Sequence, residues 1–249
     1  MKNLLDRIQP NKTLCLPNPS LLPILDRPKP NLRPNKGLRV GIFGEQGSRV
    51  ATIKAHTNLI RTMHNKNLLA SAMLLGKGSQ TAKMGREDAQ LLEKCIPSQR
   101  IDVRAAESPG DASRLFGRAD IYLSHSSGQL ACKSSAFMAA LAIGCPSVLC
   151  DGGNAEPLSE GEHFIASNDS PRSVNRFEEM AITGHLARIS TTARLWYEGH
   201  ADWKVIARQY WDAICQETLY DGERLINKEP RHSLQTQIVE AGAAPVAAC

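Results

Sequence analysis

Ser124–Gly153 reads SHSSGQLACKSSAFMAALAIGCPSVLCDGG. The stretch joins a strand end, a loop of small polar residues, a helix of small apolar residues and a second strand closed by two glycines. Such a unit implies parallel strands with a right-handed crossover. A Gly/Ser loop feeding a helix start is a common anion cradle. No Asp, Glu or Arg occurs before Asp151, so nothing on the helix repels an anion. Ser124, Ser126, Ser127, Gly128, Ser134 and Ser135 offer hydroxyls and accessible amides, and Lys133 offers a charge. The same small residues, Ala136, Ala139, Ala140 and Ala142, also let a helix approach a sheet closely, and both readings can hold at once.

The alternation continues on either side. LRVGIFG (Leu38–Gly44), LLASAMLLG (Leu68–Gly76), QRIDVRAA (Gln99–Ala106), ADIYLSH (Ala119–His125), PSVLC (Pro146–Cys150) and HFIAS (His163–Ser167) read as strands. Helical patterns fall at Val50–His64, Gly85–Ile96 and Pro109–Arg118. After Pro171 only helical pattern remains, with amphipathic helices expected at His185–Tyr197 and Trp203–Gln216. Strands that alternate with helices predict an α/β fold: one Rossmann-like parallel sheet with helices on both faces.

Three regions are expected. Residues 1–37 hold seven of the fourteen prolines. Proline fixes φ and removes an amide donor, so this is a linker or an extended strap across a surface, packed along the outside of the sheet or disordered. Residues 38–226 form the Rossmann-like domain with its C-terminal helices. Residues 227–249 lack a sustained period and are expected to be a mobile tail.

Composition narrows the function. The chain has 249 residues, 42% hydrophobic and 22% charged, with a formal net charge of +5. The charge is mild and forms no long basic run, which argues against a nucleic-acid partner. The seven cysteines form no C-x-x-C pair and are odd in number, as expected of a reducing, cytoplasmic setting without structural zinc or disulfides. No apolar run approaches the ~18 residues of a membrane span, and no signal peptide is evident; peripheral membrane contact stays compatible with the sequence.

The candidate site residues lie in loops that follow strands. GIFGEQGSRVATIK (Gly41–Lys54) is neither a dinucleotide fingerprint nor a Walker loop. It is a glycine turn at Gly44, with Arg49 and Lys54 five residues apart. The pair either faces the carboxyl edge of the sheet, where open α/β folds bind ligands, or consists of two solvated cations. DGGNAEPLSEGEH (Asp151–His163) follows another strand; Gly152 and Gly153 allow close backbone approach. Glu156 either meets sugar hydroxyls or belongs to a solvated acidic loop. His125 is the one histidine well placed for a site. Without G-x-S-x-G, H-E-x-x-H or a clustered ligand set, hydrolase and metalloenzyme readings find little support.

Together these segments resemble the C-terminal, donor-binding domain of GT-B glycosyltransferases of the retaining group 1 type. ADIYLSHSSG…AFMAALAIGCPSVLCDGGNAEPLSEGEHFI is similar to the family's strand, glycine loop, small-residue helix and G-G-x-x-E loop. SRVATIKAHTNLI is similar to its G-R-x-x-x-x-K-G segment, with Ser48 and Ala55 in place of glycines. DWKVIARQYWDAI resembles its closing helix. The resemblance implies a nucleoside-diphosphate sugar as donor substrate, no metal or other cofactor, and an unknown acceptor. It implies a donor site of Gly44, Arg49, Lys54, Gly128, Lys133, Ser134, Ser135, Gly153 and Glu156, with Arg49 and Lys54 on the diphosphate; it identifies no catalytic residue. The family's two glutamates fall on Ala131 and Ala139, and its acceptor domain has no counterpart here. The expected function is therefore sugar transfer that needs a separate acceptor domain or subunit. The alternatives are a non-catalytic module that binds a nucleotide or a partner protein, and a flavodoxin-like regulator.

Overall fold

A computed structural model describes residues 16–24, 37–77, 87–153 and 155–226, the last twelve as backbone only. The tail at 227–249 and most of the proline-rich segment lie outside the described residues. The chain forms two compact units, one ending at Ile206 and one starting at Ala207. The sheet and every loop discussed below belong to the first.

Six parallel strands form one sheet in the order β3-β2-β1-β4-β5-β6. They are β1 (Leu38–Phe43), β2 (Leu69–Lys77), β3 (Ile101–Ala106), β4 (Ile121–Ser127), β5 (Ser147–Asp151) and β6 (Ile165–Ala166). The helices are α1 (Gln46–Ala55), α2 (Thr57–Asn65), α3 (Glu87–Glu93), α4 (Pro109–Phe116), α5 (Gly128–Ala131), α6 (Ser135–Ala142), α7 (Pro171–Ile182), α8 (His185–His200) and α9 (Trp203–Ile226). The expected α/β sheet is present. Gln99–Ala106 divides into a single 3-10 turn, Ser98–Arg100, and β3.

Period-two alternation gives the sheet two apolar faces. Ala72, Leu74, Ile121, Leu123 and Val148 pack with Ile53, Leu59, Ile60, Leu92, Val174 and Phe177 on one face. Met73, Leu75, Tyr122 and Leu149 pack with Phe116, Phe137, Met138, Leu141 and Tyr197 on the other. Helix α8 serves both, with Leu186 and Ile189 in the first cluster and Trp196 and Tyr197 in the second.

One helix expected to be continuous is broken, and the loop expected before another holds a helical turn. Val50–His64 splits at His56, which ends α1 and precedes α2. The His56 ring turns inward and its Nε2 lies 2.9 Å from the carbonyl oxygen of Ser124. The apolar residues keep their phase across this one-residue break, so periodicity does not register it. After β4 the expected loop contains the short α5, and Cys132–Ser134 separates it from α6. Ser134 caps α6, accepting the Phe137 amide at 3.3 Å.

Residues 16–24 form neither helix nor strand, as their prolines predict, and their polar contacts run across helices. The Asn18 amide donates to the Cys132 carbonyl at 2.9 Å, and its side chain to that of Lys133 at 2.8 Å. The Ser20 amide donates to the Tyr197 hydroxyl at 3.1 Å, and Trp203 Nε1 to the Ser20 carbonyl at 2.8 Å. Ser113 donates to the Pro23 carbonyl at 2.5 Å. Nothing local in the sequence marks these partners.

Candidate functional site

The strand order reverses between β1 and β4, and the loops after these strands leave the carboxyl edge there, the position at which open α/β sheets take ligands. The β1 loop turns at Gly44, whose φ of 136° is open to glycine and strained for other residues. Helix α1 follows and directs Arg49 back beneath the turn. Arg49 Nε meets Asp88 Oδ2 at 2.6 Å, and Nη1 donates to the Gly44 carbonyl at 2.5 Å. The guanidinium also lies against Gly76, where any Cβ would collide with Nη1. Arg49 is 4% exposed, whereas Lys54 is exposed. The two cations therefore stand differently: one is buried in an ion pair, the other is open to solvent.

The β4 and β5 loops meet backbone to backbone. A Cβ on Gly128 would overlap the Gly152 carbonyl oxygen, and one on Gly153 would lie 3.2 Å from the Gln129 amide nitrogen. Gly153 has a φ of 44°. The Gly128 amide donates to Asp151 Oδ1 at 3.3 Å, so a carboxylate already stands at the start of α5. The sequence suggested a cradle with no acid beside it; the fold brings Asp151 there from the next strand. Glu160 lies above Gly152, with Oε2 placed 2.9 Å from where a Cβ would sit, and its Oε1 pairs with Arg176 at 2.5 Å.

The remaining candidates lie further along the loops. Lys133 is exposed at the junction of α5 and α6, where Asn18 docks. Ser134 is engaged as the α6 cap, and Ser135 is half-buried in its first turn. Glu156 is exposed in the loop after β5. Ala131 and Ala139 are 0% and 1% exposed, inside the core that also holds Phe137 and Leu141. A carboxylate at either position would have to enter that core.

Sequence reasoning missed three participants. Asp88 carried no signal, because its partner lies 39 residues away. Thr52 reads as an ordinary helical residue, yet its hydroxyl contacts both Ser48 and His125. Asp151 was visible only as a strand end. Farther off, at the amino edge, Arg39 and Asp120 form a two-pronged ion pair at 2.8 and 2.9 Å that joins β1 to β4 and is structural. Among the described residues, no group of three His, Cys, Asp or Glu could hold a metal ion. Among them also, no helix is long and apolar enough to cross a membrane.

No family model matches the chain, and no curated protein matches it in sequence. Solved structures do share its fold. A glycosyltransferase from Rickettsia africae is 14% identical, with a TM-score of 0.52 over 74% of this chain and 48% of that one. Anabaena HepE in complex with UDP is 16% identical, with a TM-score of 0.54 over 73% and 49%. The C-terminal domain of a group 1 family glycosyl transferase from Francisella tularensis is 14% identical, with a TM-score of 0.50 over 71% of this chain and 94% of that domain. This chain thus spans about half the length of the first two. What the likeness establishes is the fold: a Rossmann-like parallel α/β domain shared with GT-B glycosyltransferases.

Proposed function

We propose that the chain binds a nucleoside-diphosphate sugar at the carboxyl edge of its sheet and takes part in transfer of the sugar to an acceptor. The observation that carries this reading is the backbone contact between Gly128 and Gly152 beside the β1/β4 reversal. It holds two glycine loops together at the position where open α/β sheets take nucleotides. The complex of HepE with UDP-glucose, in a related fold, supports the same ligand class.

In this reading Gly44, Gly128 and Gly153 let backbone approach the donor, and Lys54, Lys133 and Arg49 supply positive charge. Ser134 and Ser135 add polar groups at the start of α6, and Glu156 takes sugar hydroxyls. Negative charge grows on the leaving diphosphate as the glycosidic bond to it breaks, and fixed cations lower that barrier. Arg49 is the fixed one, held by Asp88; Lys54 and Lys133 are exposed. Acceptor binding falls to a separate domain or subunit, so the chain alone should not turn over donor at a useful rate. A reducing, cytoplasmic setting belongs to the same reading and rests on the odd number of cysteines and the lack of a C-x-x-C pair.

Calorimetric titration of UDP and GDP into the purified chain tests the donor site. Saturable binding is expected, weakened roughly ten- to a hundred-fold by Lys54→Ala. If neither nucleotide binds at millimolar concentration, the donor-site reading fails. A second reading, a non-catalytic module with a GT-B-like fold, is favoured by the burial of Ala131 and Ala139. Binding without turnover, even with an acceptor-binding partner present, would select it.

A further inference from the structure

Strand β4 carries a register shift against β5: Ser124 pairs with Leu149, but Ser127 pairs with Asp151. The extra residue makes a bulge at His125–Ser126, and bulges re-aim side chains. Three bonds secure it. The Ser126 amide donates to the Ser124 hydroxyl at 3.1 Å, Cys150 Sγ donates to the His125 carbonyl at 2.9 Å, and the His125 amide donates to Thr52 Oγ1 at 3.2 Å. The bulge turns the His125 ring out to the carboxyl edge, where it is exposed, with Nδ1 3.2 Å from the same Thr52 oxygen.

The shorter of the two Thr52 Oγ1 contacts, 2.9 Å to the Ser48 carbonyl against 3.2 Å to Nδ1, places the hydroxyl proton and with it the ring tautomer. A threonine hydroxyl has one proton and two lone pairs. Thr52 is 2% exposed and donates its proton to the Ser48 carbonyl at 2.9 Å, a bond back along its own helix. Its oxygen is then an acceptor toward both the His125 amide and Nδ1. A bare Nδ1 would set lone pair against lone pair, so Nδ1 carries the proton and Nε2 of the neutral ring is bare. The neighbouring His56 has the opposite arrangement: its Nε2 faces the Ser124 carbonyl, which can only accept, so Nε2 carries that proton.

We propose that His125 is a further donor-site residue, whose bare Nε2 accepts a hydrogen bond from a hydroxyl group of the bound nucleotide sugar. The inference rests on the donor-site reading above and adds a residue to it. Carboxylates are the common acceptors for ribose and sugar hydroxyls; Glu156 is one in the donor-site reading, while Ala131 and Ala139 are sealed in the core and offer none. His125 presents a further acceptor, between the α1 turn and the Gly128 loop. Thr52 is its positioning residue.

Two-bond nitrogen–proton NMR of the full chain reads the tautomer directly. His125→Gln assigns the signals. The expected result is a protonated Nδ1 and bare Nε2, reverting to the ordinary solution mixture in Thr52→Val. A protonated Nε2 in the parent chain overturns the inference. UDP and UDP-glucose are then titrated. His125 Nε2 should move, with both ligands if it meets the ribose and with UDP-glucose alone if it meets the sugar. His125→Phe should weaken the effective ligand about tenfold, and His125→Gln, which restores an acceptor, by less. Binding that leaves Nε2 unmoved and is equal in His125→Phe overturns this inference and spares the donor site. Absence of all UDP and UDP-glucose binding overturns both.

Discussion

Arg49 Nε lies 2.6 Å from Asp88 Oδ2, and the two side chains are 5% and 6% exposed. This ion pair joins α1 to α3 and sets the guanidinium under the Gly44 turn. A buried pair contributes modestly to stability, but loss of one partner leaves an uncompensated charge. Asp88→Ala is expected to cost about 3–5 kcal/mol. Asp88→Leu combined with Arg49→Met should recover much of that loss. Urea denaturation of the three chains checks it; equal costs for the single and double replacements would show that the pair's charge is not the cause.

The Gly128–Gly152 contact predicts a sharp asymmetry between glycines. Gly128→Ala forces a methyl group onto a backbone carbonyl, which no side-chain rotation relieves. A loss of roughly 3 kcal/mol or displacement of the Gly152 loop is expected, as in overpacked sites. Gly47 lies in α1 with nothing within 4 Å of a Cβ. Gly47→Ala should therefore stabilise by up to about 1 kcal/mol. Thermal melting compares the two, and similar shifts would contradict the packing described.

Acid should weaken the fold through His56. The ring is fully buried, its Nδ1 has no hydrogen-bond partner among the described residues, and burial pushes its pKa below the ordinary 6.5. The unfolded chain then binds a proton that the folded chain refuses. Stability from this group is full above pH 6.5, falls as pH drops below that value, and levels off beneath the folded pKa. His163, also lowered by burial, acts in the same sense. Denaturant midpoints measured between about pH 8 and pH 5 should fall for the parent chain and fall less steeply for His56→Gln, which keeps a donor for the Ser124 carbonyl. An unchanged slope in the variant would refute the assignment.

Placing an acid in the α6 helix should harm the protein. Ala139 is 1% exposed among apolar neighbours. Ala139→Glu buries a carboxyl group without a partner, at an expected cost of about 2–7 kcal/mol. Normal stability together with tighter UDP binding would mean that a carboxylate can reach the donor from this position.

The segment that crosses the helices should depend on one hydroxyl. Tyr197 is fully buried and accepts the Ser20 amide. Tyr197→Phe leaves that amide unpaired, for a loss of about 1–3 kcal/mol. Hydrogen exchange at Ser20 should speed up while exchange in β1 stays slow; equal protection in parent and variant would argue against the contact.

The sequence by itself determined the layers. Apolar runs punctuated by glycine marked β1, β2, β4 and β5 to within two residues at either end, and their alternation with helices required parallel pairing. These are local properties, set by side-chain period and by what glycine and proline permit. It also carried the glycine loops and the alanines at 131 and 139. What only the tertiary structure decided is which groups meet. Asp88 reaches Arg49 across 39 residues, and Asp151 reaches the Gly128 amide across 23. Thr52 orients His125 across 73. A hydrogen-bonding period has no knowledge of a partner on another strand. The identity of that partner depends on strand order, register and a single bulge, and these are fixed when the whole sheet assembles and its two apolar faces are covered.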